Sequence, residues 1–240
     1  MSMSMLGSAW RSLRSLLFPV GCMVCGEHVD SAMRGVCIRC RYEIPLTGFC
    51  RDDENPVKEH FAGLVPVEHA SSFIYYSGGS LWQELVHRFK YGGEWSLAER
   101  MGEWYGAELC DTGLYGDVDA VLPVPLHPLK MLRRGYNQSR YLGEGIARSL
   151  GVPLCASAIR RTRNNPPQAR RRGGDRWDNV DNLFAVRRPE MLRGRHILVV
   201  DDVLTSGATL TSCIMAIRAA VPDCRISVAT LAVARSIHRE

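Results

Sequence analysis

The stretch HILVVDDVLTSGATLTSCIMAI, residues 196–217, decides the fold. Four aliphatic residues, Ile197 to Val200, run into the adjacent carboxylates Asp201 and Asp202, and the loop Thr205-Ser206-Gly207-Ala208-Thr209 then leads into a second apolar segment. A short continuous apolar run ending in polar loop residues reads as a buried strand, expected over 196–201. The helical spacing beyond it predicts a helix over 206–220, closed by Pro222. In sheets built from strand–loop–helix units, ligands sit at the carboxyl ends of the strands, where a loop meets the next helix. Asp201 and Asp202 fall at that edge.

The loop offers hydroxyls, consecutive backbone N–H groups and a residue with no side chain, all at the positive end of a helix dipole. That combination is a phosphate cradle. Carboxylates would repel the same phosphate, so they must serve another part of the ligand, either sugar hydroxyls or a magnesium ion held through its waters. A phosphate with a diol beside it is a phosphoribosyl group. Aliphatics followed by acids also describe the metal-binding strand of P-loop NTPases, but those need GxxxxGK[ST]. The three lysines here (Lys58, Lys90, Lys130) never follow a glycine, which excludes that class. An ordinary strand and capped helix would leave two neighbouring acids unpaired at a buried edge, which is unfavourable.

With 240 residues, 46% hydrophobic and 23% charged, the chain can build one sizeable core and a small appendage. Residues 6–20, LGSAWRSLRSLLFPV, are too short and too interrupted by Arg11 and Arg14 to span a bilayer, so an amphipathic helix over 1–18 and no membrane insertion are expected. Further strands are predicted over 71–76, 119–126 and 226–234, and helices over 81–91, 96–109 and 138–150, the last capped by Asn137 and stopped by Gly151 and Pro153. Strands alternating with helices imply an α/β fold with a mainly parallel sheet flanked by helices. The polar stretch RDDENPVKEH (51–60) reads as a linker, dividing a module over 19–60 from a domain over 61–240.

That module carries Cys22-x2-Cys25 and Cys37-x2-Cys40, eleven residues apart, the spacing of a structural four-cysteine zinc (Zn2+) site. Gly26 and Gly35 allow its turns. Disulfides are the alternative, disfavoured in a chain read as cytoplasmic. Charge is concentrated in residues 160–176, where seven arginines face a single acid, Asp175. The formal charge of the whole chain is only +5, so the rest is nearly neutral.

VVDDVLTSGAT resembles the phosphoribosyl-pyrophosphate (PRPP) signature of type I phosphoribosyltransferases. Together with the cysteine pairs, HRFKYGG (87–93), LPVPL (122–126), RRGYNQS (133–139), and Gln168 through RWDNV to Phe184, the chain resembles the ComF family of competence-associated phosphoribosyltransferase-like proteins from about Phe18 onward. The resemblance implies that fold, a PRPP ligand with Mg2+, and displacement of pyrophosphate from ribose. It assigns Asp201 and Asp202 to the ribose hydroxyls as catalytic residues. Val203, Leu204, Thr205, Ser206, Gly207, Ala208 and Thr209 fall to the 5′-phosphate, and Val124, Pro125 and Leu126 to the pyrophosphate. Arg133, Arg134 and Lys90 are expected as cationic PRPP contacts. Lys90 has a plainer reading as a helix-end lysine complementing the dipole, and Asn137 as a helix cap.

Gln168, Arg172, Arg176 and Asn179 would lie on a mobile loop that closes over PRPP. Single-stranded DNA is an equally legitimate anion for the basic loop, with Trp177 and Tyr136 as stacking surfaces. The family's association with natural transformation implies a DNA-uptake partner. A further metal set found in many relatives is reduced here to Cys50 and His60. No base-reading motif marks an acceptor site. Two classes therefore remain: a phosphoribosyltransferase with an unidentified acceptor, and a PRPP-responsive module that binds single-stranded DNA.

Overall fold

The computed structural model describes residues 21–29, 35–76, 78–162 and 183–234. The expected helix over 1–18 lies outside them, as do Gln168, Arg172, Arg176, Asn179 and Trp177. Four parallel strands form the central sheet: β1 (Ala70–Tyr76), β2 (Ala120–Pro123), β5 (His196–Leu204) and β6 (Arg225–Ala234), in spatial order β1-β6-β5-β2. A short antiparallel ribbon, β3 (Ile159–Arg161) with β4 (Phe184–Val186), stands apart from it. The helices are α1 (Ile38–Glu43), α2 (Pro56–Phe61), α3 (Leu81–Tyr91), α4 (Trp95–Thr112), α5 (Pro128–Arg134), α6 (Gln138–Leu150) and α7 (Ala208–Ala220).

Strand periodicity distributes the sheet's side chains between two helix layers. In β5, Leu198 and Val200 enter the core shared with α3, α4, α6 and the cysteine module, whereas Ile197, Val199 and Leu204 enter the core shared with α2, α7 and the ribbon. Each of these aliphatic side chains contributes roughly 1.5–3 kcal/mol on full burial, and five consecutive residues of β5, from His196 to Val200, are buried. Helices α4 and α6 cross at backbone contact. A Cβ on Gly102 would lie 2.2 Å from the Leu142 carbonyl oxygen, and one on Gly145 would lie 2.1 Å from that of Glu99. Only glycine allows this approach.

Two features differ from the expectation. Strand β5 does not stop at Asp201 but continues to Leu204, because β6 goes on pairing with it through Val203 and Leu204. On its other side β2 ends at Pro123, opposite Val200, so β5 from Asp201 onward has one open edge. The stretch expected as a linker is packed into the fold. Asn55, 1% exposed, caps α2 by accepting from the Val57 and Lys58 amides, and its Nδ2 donates to the carbonyls of Phe49, Asp52 and Ala70. Val57 and Phe61 are fully buried, so α2 spans the expected boundary at 60/61.

Candidate functional site

The open edge of β5 carries the two acids. Asp201 Oδ1 accepts from Ser139 Oγ at 2.7 Å and from the Asp202 amide at 2.9 Å. Ser139 is held there because Asn137, at the head of α6, caps that helix by accepting from the Ser139 amide while donating to the Val124 carbonyl at 3.0 Å. Asp202 Oδ2 lies 3.0 Å from Lys90 Nζ, with side-chain exposures of only 15% and 18%. Burial and the neighbouring Asp202 charge push the Asp201 carboxyl up to about 6, against the pull of Ser139 and Lys90.

Immediately after the acids, Val203 to Leu210 curl around a small polar hollow that Asp201 also lines. Gly207, with φ of 67°, is the N-cap of α7, and no side chain caps that helix. The helix's first amides thus receive no side-chain cap, an arrangement that suits an anion. Glycine is required here for two reasons. The backbone is left-handed, and a Cβ would lie 2.5 Å from His60 Nε2, a buried nitrogen with no hydrogen-bond partner. His60 therefore backs the loop at Gly207, a position that sequence reading missed because 147 positions separate the two residues. Among the described residues the metal-capable group is the four-cysteine cluster, and it does not include Cys50 or His60.

Past β2, the Val124 amide is fixed to the Val200 carbonyl at 2.8 Å. Pro125 and Leu126 line a cavity of about 340 Å³ with His127, Pro128 and Ile159 to Thr162. Arg161, counted in the sequence as part of the basic loop, instead sits on β3. It is 8% exposed, with its guanidinium 5.5 Å from the Phe184 ring centroid. Burial lowers its pKa while the Asp201 charge opposes that shift. Arg134 reaches toward α3, with its guanidinium 5.0 Å from the Tyr91 ring centroid and hydrogen bonds to Tyr91 and Gln138. Arg133 is exposed on α5.

HRFKYGG and RRGYNQS, far apart in sequence, thus form one structure. Besides the Arg134–Tyr91 contact, Gln138 Nε2 donates to the Lys90 carbonyl at 3.1 Å and the Tyr136 hydroxyl donates to the Phe89 carbonyl.

The four cysteine sulfurs lie within 4.8 Å of one another. The turn that holds the first pair is closed by the Cys22 amide donating to the Glu27 carbonyl and the Gly26 amide to the Cys22 carbonyl. The Cys37 amide points at Cys22 Sγ (3.3 Å) and the Cys40 amide at Cys37 Sγ (3.4 Å). Although burial opposes ionisation of Cys22, amides from Cys25, Cys37 and Val24 bring its thiol down to about 7, while burial and the other three sulfurs push Cys40 well above its usual range. Four convergent sulfurs, one already inclined to ionise, fit a tetrahedral metal ion. All nine cysteines are free thiols.

A family described as phosphoribosyl transferase domain matches residues 137–240. Competence protein F of Haemophilus influenzae is 26% identical over 203 residues, covering 80% of this chain and 88% of that protein. DNA utilization protein YhgH of Escherichia coli K12 is 32% identical over 130 residues, covering 52% of this chain and 56% of the relative, so that match spans about half of each. Competence protein ComFC of Bacillus subtilis is 26% identical over 204 residues, covering 84% of this chain and 79% of that protein. Among the described residues no helix is long and apolar enough to cross a membrane.

Proposed function

For a chain that belongs to the ComF family of phosphoribosyltransferase-like proteins, we propose that PRPP with Mg2+ binds across the carboxyl end of β5 and that the protein acts in DNA uptake. One observation carries the reading: two carboxylates, held by Ser139 and Lys90, stand directly before a helix N-terminus that no side chain caps.

In this reading Asp201 and Asp202 accept hydrogen bonds from the ribose hydroxyls, and the amides and hydroxyls of residues 203–209 hold the 5′-phosphate. Val124 to Leu126 present backbone to the pyrophosphate, with Lys90, Arg133, Arg134 and Arg161 supplying positive charge. Oxygen donors at an open strand edge suit Mg2+, which when bound would neutralise the leaving pyrophosphate. Cys22, Cys25, Cys37 and Cys40 would hold a structural Zn2+, and the free thiols suit a cytoplasmic setting. Gln168, Arg172, Arg176 and Asn179 would close over the bound donor.

Calorimetry with PRPP and Mg2+ tests the donor site. Binding that Asp201→Asn with Asp202→Asn abolishes supports it, and equal affinity in the double variant removes the acids from the site. Pyrophosphate release across a panel of nucleobases would then identify an acceptor. The second reading, a PRPP-responsive module that binds single-stranded DNA, is favoured by a run of sequence beside the site. Residues 126–141 contain four cations and no carboxylate.

A further inference from the structure

The cationic run folds into an exposed ledge beside the donor site. Helix α5 buries none of its seven residues and leaves Leu132 84% and Leu129 56% exposed. At the junction of α3 and α4, Tyr91 is 66% and Trp95 44% exposed. Trp95 lies flat on Tyr141, with ring centroids 4.9 Å apart, and Tyr141 in turn meets the edge of Tyr136. Tyr91 carries the Arg134 guanidinium on its ring. Next to it in the chain, Lys90 reaches Asp202, so this surface is continuous with the acid site.

Positive charge here is crowded. The Lys130 ammonium is depressed by partial burial and by repulsion from Arg161 and Arg134. Among the described residues no salt bridge neutralises Lys130, Arg133 or Arg134. Exposed aromatic rings interleaved with cations call for a ligand that is both flat and anionic. Single-stranded nucleic acid meets both demands, since its bases are free to stack and its backbone is charged, whereas a duplex keeps its base faces covered. Tyr136, expected from sequence as a stacking surface, is half-buried with its ring against Tyr141, so it offers less open ring than Tyr91 or Trp95.

We propose that Tyr91 and Trp95 are the base-stacking platform for single-stranded DNA, with Lys130, Arg133 and Arg134 meeting its phosphates, so that the strand runs past the mouth of the donor site. This rests on the DNA-associated reading above and deepens it.

The test compares a labelled oligothymidylate with an equally long deoxyribose-phosphate oligomer lacking bases, titrated against the full chain by fluorescence anisotropy. Tyr91→Ala should weaken oligothymidylate binding roughly tenfold or more and leave the base-free oligomer unaffected, while Tyr91→Phe should retain binding. Two results overturn the proposal in distinguishable ways. If wild-type protein binds oligothymidylate and Tyr91→Ala binds it equally, DNA binding stands and the platform falls. If wild-type protein binds neither oligomer, both the DNA reading and the platform fall, and the exposed α5 face is left to a protein partner.

Discussion

Lys90 Nζ lies 3.0 Å from Asp202 Oδ2, and this ion pair joins the last turn of α3 to the carboxyl end of β5. It gives the two acids different environments. Asp202 faces an ammonium, while Asp201 is hydrogen-bonded by Ser139 and raised by burial. The pair also explains why a lysine at a helix end, which would complement the dipole in any fold, is aimed inward.

Removing one partner of a largely buried pair leaves the other charge uncompensated. Lys90→Met should therefore lower stability by about 1–3 kcal/mol. The double variant with Asp202→Asn should recover most of that loss. Urea unfolding of the four proteins of this cycle measures the coupling, and strictly additive losses would mean that the two residues do not interact.

Asp201 has a folded pKa near 6, above the usual value of 3.8 for the unfolded chain. For a raised group the stability is fully present below the unfolded value and is lost as pH rises through the folded one. Stability should accordingly fall across about pH 4 to 6 from this residue. Asp201→Asn should then stabilise the ligand-free protein at pH 8, by on the order of 2 kcal/mol, with the gain shrinking to nothing near pH 4. Thermal melts at both pH values check this, and a gain that does not vary with pH would have another origin.

The elements of the candidate site were largely legible because they are local. Strand, acids, small-residue loop and helix are contiguous from His196 to Ile217, and each obeys a short-range rule. The helices at 81–91 and 138–150 were legible for the same reason, the second with its cap at the adjacent Asn137, while the Ser80 cap of the first emerges from the structure. What escaped is what the tertiary structure decides. Residues 51–60 look like a linker because their polarity is real, yet Asn55 spends its amide on three backbone carbonyls and Val57 and Phe61 fill a core. The extension of β5 to Leu204 depends on β6, and the places of His60 and Arg161 depend on chain returning from far away.

At the opposite end of the sheet two carboxylates act in the reverse sense to Asp201. Burial tends to raise Asp53, but hydrogen bonds from His69 (2.6 Å) and Lys58 (2.5 Å) outweigh it and hold it below its ordinary value. Asp117 is likewise lowered, first by Arg225 and then by the buried His196. A depressed carboxylate contributes stability that is present above its unfolded pKa and lost as pH falls through the folded one. Acid unfolding should therefore set in below about pH 4, and Asp117→Asn should flatten it while weakening the protein at neutral pH. An unchanged acid limb in the variant would exclude the Asp117 contacts as its source.

Helix α3 carries a second long-range contact two residues before Lys90. Arg88 donates to the Met23 carbonyl at 2.9 Å, within the cysteine turn, and is clamped by Glu94. Cys22, Met23 and Cys40 also belong to the same hydrophobic core as α3 and α4. A metal held by Cys22, Cys25, Cys37 and Cys40 would therefore brace the helix that presents Lys90, and not merely a detachable appendage. Structural zinc in small modules is worth on the order of 10 kcal/mol to folding, so chelation should lower the melting temperature of the whole domain in a single transition and weaken PRPP binding along with it. Arg88→Met should reproduce part of the loss in PRPP affinity while leaving one zinc per chain by elemental analysis. Two separate melting transitions after chelation, with PRPP affinity unchanged, would show that the module and the donor site are energetically independent.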